Sequence, residues 1–147
     1  MNRLIVISII PFIVGCGGDF YKTSKFDAAE KNKVCLDQFQ CQNSDVAASV
    51  QSIVETELLR CKKEVVKCDD AAIVISGKII WANYSNGGSN WIYSDVESGQ
   101  MIDTVILEAH DKTGDLLCRL VKSNDSRQRD AAFAKQVGKD FADKIKK

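Results

Sequence analysis

Seven side chains in this 147-residue chain offer chemistry beyond charge and packing: six cysteines and a single histidine. The cysteines are Cys16, Cys35, Cys41, Cys61, Cys68 and Cys118, and the histidine is His110. Thiolates act as nucleophiles, metal ligands or disulfide partners. Spacings of six residues (Cys35 to Cys41) and seven (Cys61 to Cys68) are not zinc-knuckle spacings. With His110 set on the opposite strand face from Cys118, no metal site and no cofactor is expected. His110, Asp111 and a serine could in principle make a triad, but a lone imidazole beside a hairpin turn reads as a solvated surface residue. The chain has no G-x-S-x-G elbow, no H-E-x-x-H, no phosphate loop and no G-x-G-x-x-G. No catalytic residue is therefore assigned, and the chain is read as a non-enzyme. Trp91 and Tyr93 sit in an Asn-, Gly- and Ser-rich stretch, Ser85 to Gly99, with Tyr84 just before it, a composition that suits binding.

Cys16 has its own context. Arg3 supplies one early cation, and Leu4 to Val14 is an uncharged, mostly apolar run of about 11 residues. A membrane span needs ~20 such residues, so the run has the proportions of a secretory signal. It closes on Ile13-Val14-Gly15-Cys16, which resembles the lipobox of bacterial lipoproteins. The resemblance implies cleavage after Gly15, diacylglycerol on the Cys16 sulfur and a third acyl chain on the new amine. Two or three chains make a stable anchor where one does not, at ~0.8 kcal/mol per buried CH₂. Gly17 rather than Asp follows Cys16, which favours the outer membrane and its periplasmic face. Lys+Arg and Asp+Glu both total 20, leaving no basic field to draw nucleic acid. The cations Lys139, Lys144, Lys146 and Lys147 read as the last turn of a helix, where the dipole favours them.

Export places the other five cysteines in an oxidising compartment, where disulfides are expected. Local pairs, Cys35 with Cys41 and Cys61 with Cys68, are preferred. If a helix fills the space between them, Cys41 and Cys61 lie ~25 Å apart and cannot join. Cys118 is then the odd thiol; the alternative joins it to Cys61 or Cys68.

The elements that position these groups follow from apolar period. Gly17 to about Lys25 reads as a tether, and Phe26 to Gln42 as partly helical. Val46, Val50, Ile53, Val54, Leu58 and Cys61 share one helical face, predicting a helix over Asp45 to about Lys62 with Ser44 as N-cap. Ala71 to Tyr84 alternates as a strand, with Ile73, Ile75, Ile79 and Trp81 on one side. Met101 to His110 and Asp115 to Lys122 are two more strands. Pairing His110 with Asp115 would set Val105, Leu107 and Ala109 on one face with Leu116, Cys118 and Leu120. His110, Thr104 and Glu108 would then take the other face, with Glu108 one diagonal from Arg119 as a cross-strand ion pair. A closing helix spans about Arg127 to Lys146, with Asn124, Asp125 and Ser126 as capping candidates. Ala134, Val137, Phe141 and Ile145 form its stripe beside Phe133 and Ala142, and Gly138 marks close packing. The expected fold is α+β: a two-layer domain, its small, mostly antiparallel sheet bearing an N-terminal and a C-terminal helix on one face. The expected domains are a signal peptide over 1–15, a lipidated tether over 16–43 and a periplasmic domain over 44–147.

Asp69-Asp70-Ala71-Ala72-Ile73-Val74-Ile75-Ser76-Gly77-Lys78-Ile79 is similar to a strand-opening motif of a family of envelope lipoproteins. Val105 to Leu117, with its Asp111-Lys112-Thr113-Gly114 turn, resembles their later strand, turn and returning strand. The family includes the curli-export lipoprotein and the lipoproteins that activate peptidoglycan synthases. The resemblance covers roughly Val46 to Lys147 and implies a non-catalytic envelope domain that binds another protein. No long amphipathic β segment suited to a transmembrane pore accompanies it. Together these readings anticipate an outer-membrane, lipid-anchored accessory domain with an envelope protein partner. The alternative is a small-ligand or glycan binder using the 85–99 aromatic loop. Intact mass of the membrane-extracted protein is expected to lack residues 1–15 and to carry acyl chains on Cys16; an unmodified Met1 terminus would refute the anchor.

Overall fold

Alternation of apolar residues in the middle of the chain builds the sheet, and two amphipathic stripes cover it. The computed structural model describes residues 19–83 and 100–146. Its elements are β1 (Asp19–Lys22), β2 (Lys33–Leu36), α1 (Ser44–Arg60), β3 (Glu64–Val65), β4 (Ile73–Asn83), β5 (Gln100–Asp111), β6 (Leu116–Ser123) and α2 (Asp130–Ile145). The six strands form one sheet in the order β1-β6-β5-β4-β2-β3. β2 pairs parallel with β3 and with β4; every other pairing is antiparallel. The fold is α+β, with one helix from each half of the chain, as the periodicity predicts.

The core lies between the sheet and the helices. Ile73, Ile75, Ile79, Val105, Leu107, Ala109, Cys118 and Leu120 are buried from the sheet; Val50, Val54 and Leu58 are buried from α1. All six residues named for the closing helix's stripe (Phe133, Ala134, Val137, Phe141, Ala142 and Ile145) are buried. Each large apolar side chain so covered contributes about 1.5–3 kcal/mol. Gly138 sits where the helices touch: a Cβ there would lie 3.3 Å from the Val54 Cα and from the Glu57 Cγ. Gly77 has a stricter reason to lack a side chain. A Cβ would stand 2.5 Å from the buried Phe39 ring, which crosses β4 at that point.

Several local expectations change. Helix α1 is capped by Asn43, whose side chain accepts from the Asp45 and Val46 amides, and Ser44 is already helical. The carboxamide one residue earlier competes better because Asn43 keeps an extended backbone, φ −107°. The stretch read as partly helical holds β2 instead. Val34 and Cys35 are buried there by pairing with Ile73 and Val74 of β4, a long-range contact that overrides local pattern. The tether is shorter than expected, because Asp19–Lys22 already pairs with β6. Helix α2 starts at Asp130 with no side-chain cap on its N-cap residue Arg129. Asn124 folds the preceding loop instead: its Nδ2 donates to the Ile102 and Gln128 carbonyls, and its Oδ1 accepts from the Gln128 amide.

The β5–β6 register differs from the expected one. Ala109 faces Cys118 and Leu107 faces Leu120, two residues away from the pairing built on His110 with Asp115. The Asp111 and Asp115 backbones close the turn, Gly114 takes φ 89°, and a bulge between Ala109 and His110 moves the register by one residue, so that His110 faces Leu116. An even shift keeps the faces, so the apolar set stays inward. Leu116, expected on that face, is half-buried, while Lys122 is buried opposite Val105 and ion-paired to Asp140 of α2.

The disulfide is Cys35–Cys68, with Cα atoms 5.0 Å apart, rather than the two local pairs. Lys62 takes φ 61° and turns the chain out of α1 into β3, and β3 lies parallel to β2. That register carries Cys68 alongside Cys35 and leaves Cys61 at the helix end, its Sγ 3.7 Å from the Asp143 carboxylate. Cys41 and Cys61 are free and half-buried; Cys118 is the free buried thiol, as anticipated. The crosslink spans a separation of 33 residues. Replacing Cys35 and Cys68 together by Ala is therefore expected to cost about 3–4 kcal/mol by loss of loop closure, read as a lower urea midpoint. Non-reducing peptide mapping should join the Cys35 and Cys68 peptides; a Cys35–Cys41 peptide would contradict this pairing.

Candidate functional site

Both helices cover one face of the sheet, and the other face carries a groove of about 430 Å³. Asp37, Gln40, Lys78, Ile106, Glu108 and Arg119 are among its walls. Antiparallel pairing sets these residues in rows across the strands. Ser76, Glu108, Arg119 and Tyr21 form one row, and Lys78, Ile106 and Val121 form the next. Tyr21 and Ile80 are 44% and 42% exposed at opposite margins of this face. The surface sets a charged centre between exposed apolar side chains at its margins.

The charged centre is Glu108. Its Oε1 accepts from Arg119 Nε at 2.6 Å and lies 2.6 Å from Arg119 Nη2; its Oε2 lies 3.3 Å from His110 Nε2. The ion pair expected from the sequence is thus present, directly across the strands rather than on a diagonal. Such a pair, partly exposed, contributes at most ~1 kcal/mol to stability. What it does is hold two long side chains at fixed positions in the middle of the open face.

His110 and Asp111 point to different tasks. Asp111 Oδ1 accepts from the Thr113 amide at 2.9 Å, the Thr113 hydroxyl at 2.6 Å and the Asp115 amide at 3.0 Å. The Thr113 hydroxyl above all holds the Asp111 carboxyl below the usual carboxylate range. That carboxylate is committed to the turn, and the hydrogen bonds give it no role as a partner for His110.

Trp81, placed with the core-facing set, is partly buried beside Gln42, Asn43, Ser44 and Gln100 after a register shift between Ile80 and Trp81. Tyr84, Trp91 and Tyr93, singled out for binding, lie outside the described residues, as does Cys16. The contribution of Tyr21 to the open face was missed in the sequence, because β1 is only four residues long and too short for a legible alternation.

No protein-family model matches the chain, and no curated protein matches it. Solved structures do. A PelC dodecamer from Paraburkholderia phytofirmans superposes with a TM-score of 0.57 at 15% identity, over 88% of this chain and 97% of that one. A single-site variant of the same dodecamer gives 0.58 at 16% identity over the same shares. The likeness is one of fold. A PDZ domain protein from Parabacteroides distasonis matches at 0.53 and 12% identity, over 82% of this chain and 33% of that protein. Among the described residues, no helix is long and apolar enough to cross a membrane.

The free thiols separate by environment. Burial pushes the Cys118 thiol up to about 12, so little thiolate exists near neutral pH. Iodoacetamide at pH 8 is expected to modify Cys41 and Cys61 in the native protein and Cys118 only after denaturation. Early modification of Cys118, followed by mass spectrometry, would contradict its burial.

Proposed function

We propose that this chain is a lipid-anchored envelope lipoprotein whose periplasmic domain is a non-catalytic interaction module. On this reading the domain docks other protein chains on the open face of its sheet. The observation that carries the reading is that face itself: a groove flanked by exposed Tyr21 and Ile80, with Glu108 held between Arg119 and His110. Fixed charges of this kind set register and exclude wrong partners more than they add affinity. The lipobox resemblance at Ile13-Val14-Gly15-Cys16 supports the anchor. The likeness to PelC, which runs almost the full length of that chain and of which a dodecamer is solved, supports assembly with further copies as one form of docking.

In-cell cross-linking of the tagged, lipidated protein followed by mass spectrometry tests the reading. The expected result is a defined set of adducts, to copies of this chain or to one envelope protein. Arg119→Glu should place two like charges opposite each other and reduce those adducts several-fold. Its cost in stability should stay at about 1 kcal/mol, as for an exposed pair. Adduct yields unchanged by Arg119→Glu would remove the open face as the docking surface. Absence of any adduct would remove the interaction reading.

A further inference from the structure

The anchor reading leaves open how the domain stands on its membrane, and the position of β1 bears directly on that. Asp19 is hydrogen-bonded into the sheet opposite Val121. The strand is held firmly. Phe20 packs edge-on against the buried Phe26 with ring centroids 6.0 Å apart, and Thr23 bonds the Leu117 carbonyl through its amide at 2.8 Å. Only Gly17 and Gly18 separate Asp19 from Cys16. Three Cα steps reach at most about 10 Å, against about 30 Å for a tether running to Lys25.

A lipid-bearing Cys16 lies at the headgroup layer, which is roughly 5–7 Å deep on each side of the hydrocarbon. β1 runs opposite to β6, so Asp19, at the start of β1, lies nearest the Ser123 end of β6 and the β6–α2 loop, residues 124–129. The β5–β6 hairpin lies the other way, since Val121 to Leu116 alone spans about 17 Å. Were the hairpin turned to the membrane, even a leash doubled back by its full length would fall short of the tip. Asp111, Lys112 and Asp115 would then sink through the headgroups toward the hydrocarbon, where buried charge is strongly disfavoured.

We infer that the β6–α2 loop, with exposed Asp125, Ser126, Arg127 and Arg129, rests on the lipid headgroups, and that the β5–β6 hairpin points away from the membrane. The inference rests on the proposed acylation of Cys16. Arg129 supplies a guanidinium group of the kind that pairs with lipid phosphates, often in bidentate fashion. The short leash keeps the start of β1 within about 10 Å of the lipid-bearing residue.

The test uses the full lipidated protein, extracted from membranes and reconstituted in phosphatidylethanolamine–phosphatidylglycerol vesicles. A photoreactive p-benzoylphenylalanine replaces Ser126 in one sample and Thr113 in another, and lipid adducts are quantified by mass spectrometry. Adducts several-fold higher at position 126 than at 113 are expected. A Gly/Ser insert of about ten residues between Gly18 and Asp19, with a root-mean-square reach of about 17 Å, should bring the yield at 126 down toward that at 113. Acylated Cys16 with equal adducts at both positions, or more at 113, overturns the orientation and leaves the anchor standing. A yield at 126 undiminished by the insert overturns the leash as its cause. An unacylated terminus in the same intact-mass measurement overturns the anchor and the orientation together.

Discussion

The domain depends on how closely two parallel helices can lie over the central strands. Val54 and Glu57 of α1 meet α2 at Gly138, where any side chain would come within 3.3 Å of a main-chain carbon. A glycine in mid-helix costs ~1 kcal/mol relative to alanine. That cost is offset by letting Val50, Val54 and Leu58 share one apolar layer with Phe133, Val137 and Phe141. β4 and β5 owe their covered face to that layer. The same close approach recurs at Gly77, where the Phe39 ring passes over β4 and seals the layer beside the start of α1. Interiors are packed like organic crystals, so both positions are set by sterics rather than by backbone freedom.

Covering one face so completely decides what the other can do. Residues alternate along β4, β5 and β6, so each inward apolar residue has outward neighbours that need no apolar character. Ser76, Lys78, Glu108 and Arg119 occupy those positions, and the geometry of an antiparallel pair brings Glu108 opposite Arg119. A polar groove on a sheet with helices on one side is therefore a direct product of the layering. Lys122 is the exception. It lies on the covered side and is tolerated because Asp140 of α2 answers its charge.

Legibility in the sequence tracked the range of the interactions. Both helices, the long strands and the inward set could be read because their signals repeat over ten or more residues. The stripe from Phe133 to Ile145 and the close approach at Gly138 were both visible in spacing alone. The ion pair at Glu108 was visible too, since a register error of two residues does not change which face a side chain takes. What could not be read depends on contacts distant in the chain. β2 exists because β4 lies beside it, and Cys35 meets Cys68 because β3 runs parallel to β2. Helix length argued correctly against joining Cys41 to Cys61, but it says nothing of where the chain goes after Lys62. The α1 cap shifted by one residue because the Asn43 carboxamide takes the first-turn amides, and α2 began three residues later than expected, where Asn124 and Asp130 are bonded to Ile102 instead.

The placement of β1 has a mechanical consequence. Its four residues lie along β6 with their start nearest the end of that strand, so a pull on the upstream chain along the strand direction acts parallel to both. The hydrogen bonds from Asp19 to Lys22, the ring contact of Phe20 and the bonds of Thr23 are then loaded together, in shear, rather than opened one after another. A strand of this length would peel easily if pulled sideways from its tip. Drawn lengthwise, it yields only when the whole set slips at once, so a very short edge strand can serve as a durable point of attachment for the domain behind it.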